Sequence, residues 1–308
     1  MSSTIQRLPE ATGELTRRDK IILGLLRRFS RLSLPTLQRI GRWLGIIASW
    51  FPGHNVWVIR RNLKICFPEK SDEWIEETVK QNLIVTGQTA LEFAKTWGEP
   101  PSYSIEQIQK VTNGHLFFDA LKSGKGVLAL TPHYGTWEFM NAWLNQHAPA
   151  VIMYKPGKDR GVDTFVREAR SRLSAQMVPT DERGVKQMLK CLKTGGFTII
   201  LPDHVPHQNG GLFAPFFGIS TWSTALTPRL IQKTGCTVVG MTCTRLPNGE
   251  GFEIYFEAPH PDIYSQDLFT AASGMNHSME SLIRRDPTQY QWSYKRFKVC
   301  ETLKDVYQ

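Results

Sequence analysis

From Gly126 onward, short apolar runs alternate with longer stretches of helical periodicity, and this alternation constrains the fold more than any other feature of the 308-residue chain. The run Gly126-Val-Leu-Ala-Leu-Thr131 is apolar at successive positions, as a strand covered on both faces must be. Further strands are expected at 151–154, 197–201, 237–244 and 252–257, with helices at 136–145, 163–174, 181–192, 223–233 and 266–285. The pattern predicts an α/β fold, a central mostly parallel sheet flanked by helices. The length allows one large domain or two small ones.

Ahead of this region the periodicity is helical, with helices expected at 73–97 and 104–123. Further upstream, Ile22, Leu25, Leu26 and Phe29, then Leu37, Ile40, Leu44, Ile47 and Phe51, recur at intervals of three and four, and Pro35 divides them into two amphipathic helices. Arg27, Arg28, Arg31, Arg39 and Arg42 are interleaved, and Trp43 and Trp50 are candidate interfacial anchors. From Lys20 to Lys64 there are nine Lys and Arg and no acidic residue, which equals the net +9 of the whole chain. A charge so localised implies an anionic partner. Basic amphipathic helices carrying Trp suit an anionic membrane surface, although a helical hairpin packed on the core shows the same periodicity. Nucleic acid is disfavoured, because the charges sit in a Leu/Ile/Trp stripe without a recognisable binding module.

No stretch supplies the roughly 18 apolar residues of a spanning helix. The five cysteines are odd in number and irregular in spacing, which suggests neither a disulfide framework nor a zinc site. The first twenty residues lack the basic-then-apolar order of a signal peptide, so the bulk of the chain is expected in the cytoplasm. The expected organisation is a flexible N-terminus over 1–17, a helical, basic, membrane-associating region over 18–100, an α/β core over 101–300 and a tail over 301–308.

The first strand runs into Thr131-Pro132-His133-Tyr134-Gly135-Thr136-Trp137-Glu138, and ligand sites of open α/β sheets lie at strand carboxyl ends. Five residues apart on one helix, His133 and Glu138 would stand about 140° out of register. His133 is therefore expected in the loop and Glu138 in the first helical turn, with Thr136 as N-cap. There the carboxylate can reach back to the imidazole and make it a general base. Asp203, following the run 197–201, is a second candidate at a strand end and a potential partner of Arg170. Arg167, Arg170 and Arg172 form a charge run that is either functional or a solvated helix face. His204 and His207 lack a third ligand, and no metal or cofactor is assigned. Phe213, Phe216 and Phe217, with Trp222, are either a hydrophobic wall around the site or core packing. No nucleophile elbow or P-loop occurs, and Gly124-Lys-Gly-Val-Leu-Ala129 precedes a strand, which is the wrong place for dinucleotide binding.

The motif H-x-x-x-x-E at the opening of the α/β region resembles the glycerolipid and lysophospholipid acyltransferase superfamily. Tyr154-Lys155-Pro156, Leu201-Pro202-Asp203-His204, Gly211 to Gly218, and Pro287-x-x-Tyr290-x-Trp292-x-Tyr294-x-Arg296-Phe297-Lys298 follow in order. With Arg61-Asn62-Leu63 and Cys66-Phe67-Pro68-Glu69, this ordered set resembles the lauroyl/myristoyl acyltransferases of lipid A biosynthesis over nearly the whole chain. The resemblance implies transfer of a fatty acyl group from acyl carrier protein to a hydroxyl of a lipid A precursor, at the cytoplasmic face of the bacterial inner membrane. Under it His133 is the base, Glu138 its orienting carboxylate, and Arg170 with Arg167 the cations for the oxyanion or an acceptor phosphate. Tyr154 and Asp203 are supporting residues, and a wall formed by Phe213, Phe216 and Phe217 would hold the acyl chain. A lysophospholipid or other glycolipid acceptor, a thioesterase, and a non-catalytic membrane-surface protein are the competing readings.

Overall fold

The computed structural model describes residues 14–51 and 53–308, so most of the expected N-terminal segment over 1–17 lies outside the described residues. Four helices come first: α1 (Arg17–Ser30), α2 (Leu34–Ser49), α3 (His54–Cys66) and α4 (Asp72–Gly98). They are followed by α5 (Pro101–Glu106), β1 (Ile108–Thr112), α6 (His115–Lys122) and β2 (Val127–Leu130). Next come α7 (Trp137–His147), β3 (Ala150–Tyr154), α8 (Arg160–Ser171), β4 (Gln176–Pro179), α9 (Glu182–Lys193) and β5 (Phe197–Ile200). The chain continues through β6 (Gly211–Phe216), β7 (Ile219–Thr224), α10 (Leu226–Thr234), β8 (Thr237–Arg245), β9 (Phe252–Glu257) and α11 (Leu268–Arg284).

Seven strands form one sheet in the order β1-β9-β8-β2-β5-β3-β4, and every neighbouring pair is parallel except β8 with β9. The α/β architecture is thus as the alternation predicts. Strand β2 shows why its sequence is apolar throughout: all four residues are fully buried. Leu128 and Leu130 face Met188 and Leu192 of α9 and Met275 and Met279 of α11. Val127 and Ala129 face Phe117 of α6 and Phe139 and Leu144 of α7. Each large side chain so placed contributes about 1.5–3 kcal/mol.

The expected helix over 104–123 is corrected: β1 interrupts it. Ile108–Thr112 pairs only with β9 at the sheet edge and is mostly exposed, so it lacks the apolar run that marks a central strand. The stretch Gly211 to Gly218, to which the sequence pattern assigns no element, takes regular structure. It is a hairpin of β6 and β7, turned by Phe217 (φ 49°) and Gly218 (φ 75°), both left-handed as a two-residue turn requires.

Pro35 falls in the first turn of α2, where its missing N–H leaves no bond unmade, and Ser33 caps that helix. Helix α2 lies on α4 almost backbone to backbone: a Cβ at Gly41 would stand 2.5 Å from the Gln88 Cα. The opposite face of α2 is unpartnered among the described residues. Trp43, Leu44 and Ile47 are exposed, as are Trp50 (68 %) and Phe51 beyond its end and Ile21 and Leu25 on α1. Arg28, Arg31, Arg39 and Arg42 are exposed beside them, while Arg27 reaches Glu168 of α8 at 2.8 Å. No helix among the described residues is long and apolar enough to cross a membrane.

Candidate active site

The loop 131–136 leaves the carboxyl end of β2 and is fixed from two sides. Gly135 N–H donates to the Gln289 carbonyl (2.9 Å) and Thr136 N–H to the Cys243 carbonyl (2.9 Å), while the His133 carbonyl accepts from Gln291 N–H (3.0 Å). Gly135 has φ +56°, and a Cβ there would meet the Cys243 carbonyl at 2.1 Å, so this position excludes side chains twice over. The segment 287–294 is itself anchored by two helix asparagines. Asn62 Nδ2 donates to the Trp292 and Tyr294 carbonyls, and Asn82 Nδ2 to those of Thr288 and Tyr290. Thr136 does not cap α7 with its side chain; its hydroxyl donates to buried Glu92 (2.7 Å), which also pairs with Arg245.

The partner of His133 is Asp203. Its Oδ1 lies 2.7 Å from His133 Nδ1, and its Oδ2 accepts the His133 backbone N–H at 3.0 Å. Strands β2 and β5 are parallel neighbours, with Leu130 opposite Ile200, so their carboxyl ends deliver His133 and Asp203 to the same place. Burial pushes the Asp203 carboxyl up, but the facing His133 imidazole and the two bonds from His133 outweigh it and hold the group well below the usual carboxylate range. The Tyr290 hydroxyl is buried against this carboxylate, and burial followed by the Asp203 charge raises it far above a free phenol. With Asp203 ionised, His133 carries its proton on Nδ1 and presents Nε2 as acceptor.

Glu138 does not take the expected place on His133. From the first turn of α7 it accepts from Arg170 Nη2 (2.5 Å), Trp97 Nε1 (3.1 Å) and Asn141 Nδ2 (3.2 Å). The expected Asp203–Arg170 pairing is corrected with it, because each carboxylate has the other's expected partner. Burial opposes the Arg170 charge, yet Glu138 holds that charge more firmly than water does. The Tyr154 ring lies 5.2 Å from the guanidinium, and its hydroxyl donates to buried Asp163. Arg167, half-buried earlier on α8, is close enough for its charge to act on Tyr154.

His133, Glu138, Arg170 and Tyr154 line one cavity of about 530 Å³ with walls chiefly apolar, among them Trp137, Met140, Ile152, Val166 and Met177. Lys155 and Lys158 also border it. Phe213, Phe216 and Phe217 do not. Phe217 packs between Phe67 and Trp292, Phe216 lies against Phe297 and under the Arg296 guanidinium, and Phe213 meets Trp222. Of the two readings of these phenylalanines, packing within the fold is the one observed, and the cavity is walled by residues of α7, β3, α8, β4 and β5.

His204 is the site residue that sequence reasoning passed over. Its ring stacks on that of His133 at 3.8 Å and 2°, and on that of Tyr294 at 3.9 Å and 14°. Nitrogen or oxygen atoms of His133, Asp203 and His204 lie within 4.8 Å of one another, a spacing that invites a metal. The in-plane lone pairs of two parallel imidazoles do not converge on one ion, however, and His133 Nδ1 already faces Asp203.

Burial, then the neighbouring His133, lower the His204 pKa from 6.5 to about 4. A group lowered on folding contributes stability above its unfolded pKa and loses it as pH falls towards the folded value. Urea unfolding should therefore show stability falling between pH 6.5 and about 4, and His204→Phe should flatten that slope. An unchanged slope in the variant assigns the loss elsewhere.

A histidine–carboxylate pair at strand carboxyl ends, opening on an apolar cavity beside a buried cation, defines an α/β enzyme suited to moving a group on or off a lipid chain. Residues 17–299 match the family described as bacterial lipid A biosynthesis acyltransferase, and the chain belongs to that family. It is 27 % identical over 277 residues to a lipid A biosynthesis lauroyltransferase of Escherichia coli K12, covering 90 % of each chain. It is 24 % identical over 282 residues to the palmitoleoyltransferase of the same organism, covering 90 % of this chain and 89 % of that one. A lipid A biosynthesis acyltransferase of Haemophilus influenzae is 26 % identical over 275 residues, 87 % of this chain and 86 % of the relative.

Proposed function

We propose that the protein transfers a fatty acyl chain from acyl carrier protein to a hydroxyl of a lipid A precursor, at the cytoplasmic face of the bacterial inner membrane, with His133 as general base. The observation that carries the mechanism is the 2.7 Å contact of His133 Nδ1 with Asp203, which leaves Nε2 as the free basic nitrogen of a cavity-lining residue. Nε2 takes the proton of the acceptor hydroxyl as its oxygen attacks the thioester carbonyl. Asp203 steadies the imidazolium, the tetrahedral intermediate collapses, and His133 returns the proton to the departing thiolate. Glu138 keeps Arg170 charged against the cavity, where the cation stabilises the oxyanion. Its side chain is only 19 % exposed, which favours this task over holding a phosphate in solvent. The apolar cavity accepts the acyl chain, and Lys155 and Lys158 suit an acidic carrier.

The test is mass spectrometry of an under-acylated lipid A precursor incubated with purified protein and acyl carrier protein charged with twelve- or fourteen-carbon chains. Gain of one acyl group supports the reading. Free fatty acid released at the same rate with and without acceptor makes the protein a thioesterase instead.

The exposed apolar stripe of α1 and α2, flanked by arginines, suits the membrane surface on which such an acceptor lies. Trp43→Ser, Trp50→Ser and Phe51→Ser together should weaken sedimentation with anionic vesicles at least tenfold, since a large apolar side chain is worth about 1.5–3 kcal/mol when fully buried. Equal binding by the triple variant refutes a membrane role for this face.

A further inference from the structure

We infer that His204 is a positioning residue for the His133 base, its imidazole wedged between the rings of His133 and Tyr294 so that His133 Nε2 is held in the plane of attack; the inference rests on His133 being the base. Asp203 alone does not fix that plane. One contact at Nδ1 and one at the backbone N–H pin the carboxylate, but they leave the imidazole free to swing about the Nδ1···Oδ1 axis. Two aromatic surfaces stop the swing. The Trp137 ring meets that of His133 edge to face at 5.4 Å and 78°, and the His204 ring lies parallel to it at 3.8 Å.

His204 is in turn immobilised. Its Nε2 lies 3.3 Å from Gln291 Oε1, and the backbone N–H of the same Gln291 donates to the His133 carbonyl. Its outer face rests on Tyr294, whose hydroxyl accepts the Val205 N–H at 2.9 Å. The turn after β5 thus supplies both the carboxylate that orients the base and, at the next residue, the ring that flattens it. The stack also serves the charged state. When His133 gains the substrate proton, the imidazolium lies over the π-face of a neutral ring, an attractive contact, whereas a protonated His204 would repel it. Burial and the neighbouring His133 keep His204 neutral until about pH 4.

The experiment compares full-length wild type, His204→Ala, His204→Phe and His133→Ala in the acyl-transfer assay, with the NMR shift of the His133 ring proton in the first three. His204→Ala should lower kcat about 10- to 100-fold, the scale of a small misplacement of a reacting group, with KM for donor and acceptor unchanged. His204→Phe, which keeps the flat ring and drops the nitrogens, should stay within about threefold of wild type and retain the upfield ring-current shift that His204→Ala loses. The Phe variant guards against a folding defect in the Ala variant. His204→Ala at the wild-type rate, His204→Phe as slow as His204→Ala, or a rise in KM without a fall in kcat each overturns the inference. A His133→Ala protein of wild-type rate removes the base assignment and this inference together; an inactive His133→Ala with His204→Ala unimpaired removes this inference alone.

Discussion

His133→Ala should lower acyl transfer by about 10²–10⁴-fold, the usual worth of a general base, in a protein that is still folded in the absence of urea but unfolds at a lower urea concentration than wild type. The loop keeps its backbone bonds at His133, Gly135 and Thr136, so the chain should still fold, but buried Asp203 loses the imidazole that holds it ionised and keeps only the His133 N–H. Asp203→Asn should fall in the same range for a different reason. The amide can replace only part of the acceptor surface that the His133 backbone N–H and Nδ1 now share, so the tautomer presenting Nε2 to substrate is no longer enforced. Initial rates at saturating donor and acceptor read the effect directly. A His133→Ala rate within tenfold of wild type would sink the assignment, and an Asp203→Asn enzyme of normal rate would leave His133 a base that needs no carboxylate.

The parts of the fold legible in the sequence are those in which burial writes a pattern. Val127–Leu130 is read from four consecutive apolar residues because both faces of β2 are covered, and Leu34–Ser49 is read from its spacing and from Pro35 at its start. Ile108–Thr112 and Gln176–Pro179 were not read, since strands at the two sheet edges are half solvated and carry Gln and Lys as comfortably as Val. At the site, position was legible and partnership was not. The carboxyl ends of β2 and β5 both announced themselves, and so both His133 and Asp203 were candidates. That they meet depends on β2 lying beside β5 in space, with β3 and β4 further out, an order that no local signal encodes. Nearness in sequence therefore favoured Glu138, five residues from His133, over Asp203, seventy residues away. His204 had a signal of its own, a ring directly after Asp203 with Tyr294 late in the chain, but stacking leaves no periodicity to detect.

The structure reassigns Glu138 from the base to the cation, and the two roles differ in what mutation does. An orienting carboxylate can be removed from a folded enzyme; the counter-ion of a buried guanidinium cannot. Glu138 is 5 % and Arg170 19 % exposed in their side chains, so Glu138→Ala should cost about 3–5 kcal/mol of folding stability, as breaking a buried pair from one side does. Trp97 Nε1 and Asn141 Nδ2 lose their acceptor in the same variant, which adds to the loss. Glu138→Leu combined with Arg170→Met should recover most of the stability, because it removes both charges and keeps the volume. Urea unfolding of wild type, single and double variants measures the coupling, and a Glu138→Ala protein within about 1 kcal/mol of wild type contradicts the buried-pair account. The double variant then isolates the cation. It is folded, His133 and Asp203 are untouched, and only the positive charge beside the cavity is missing. Its turnover should fall by about 10²–10³-fold, the scale of a lost oxyanion donor, with little change in KM. Full activity in the folded double variant would mean that the oxyanion is held by other groups and that Glu138 and Arg170 serve the fold alone.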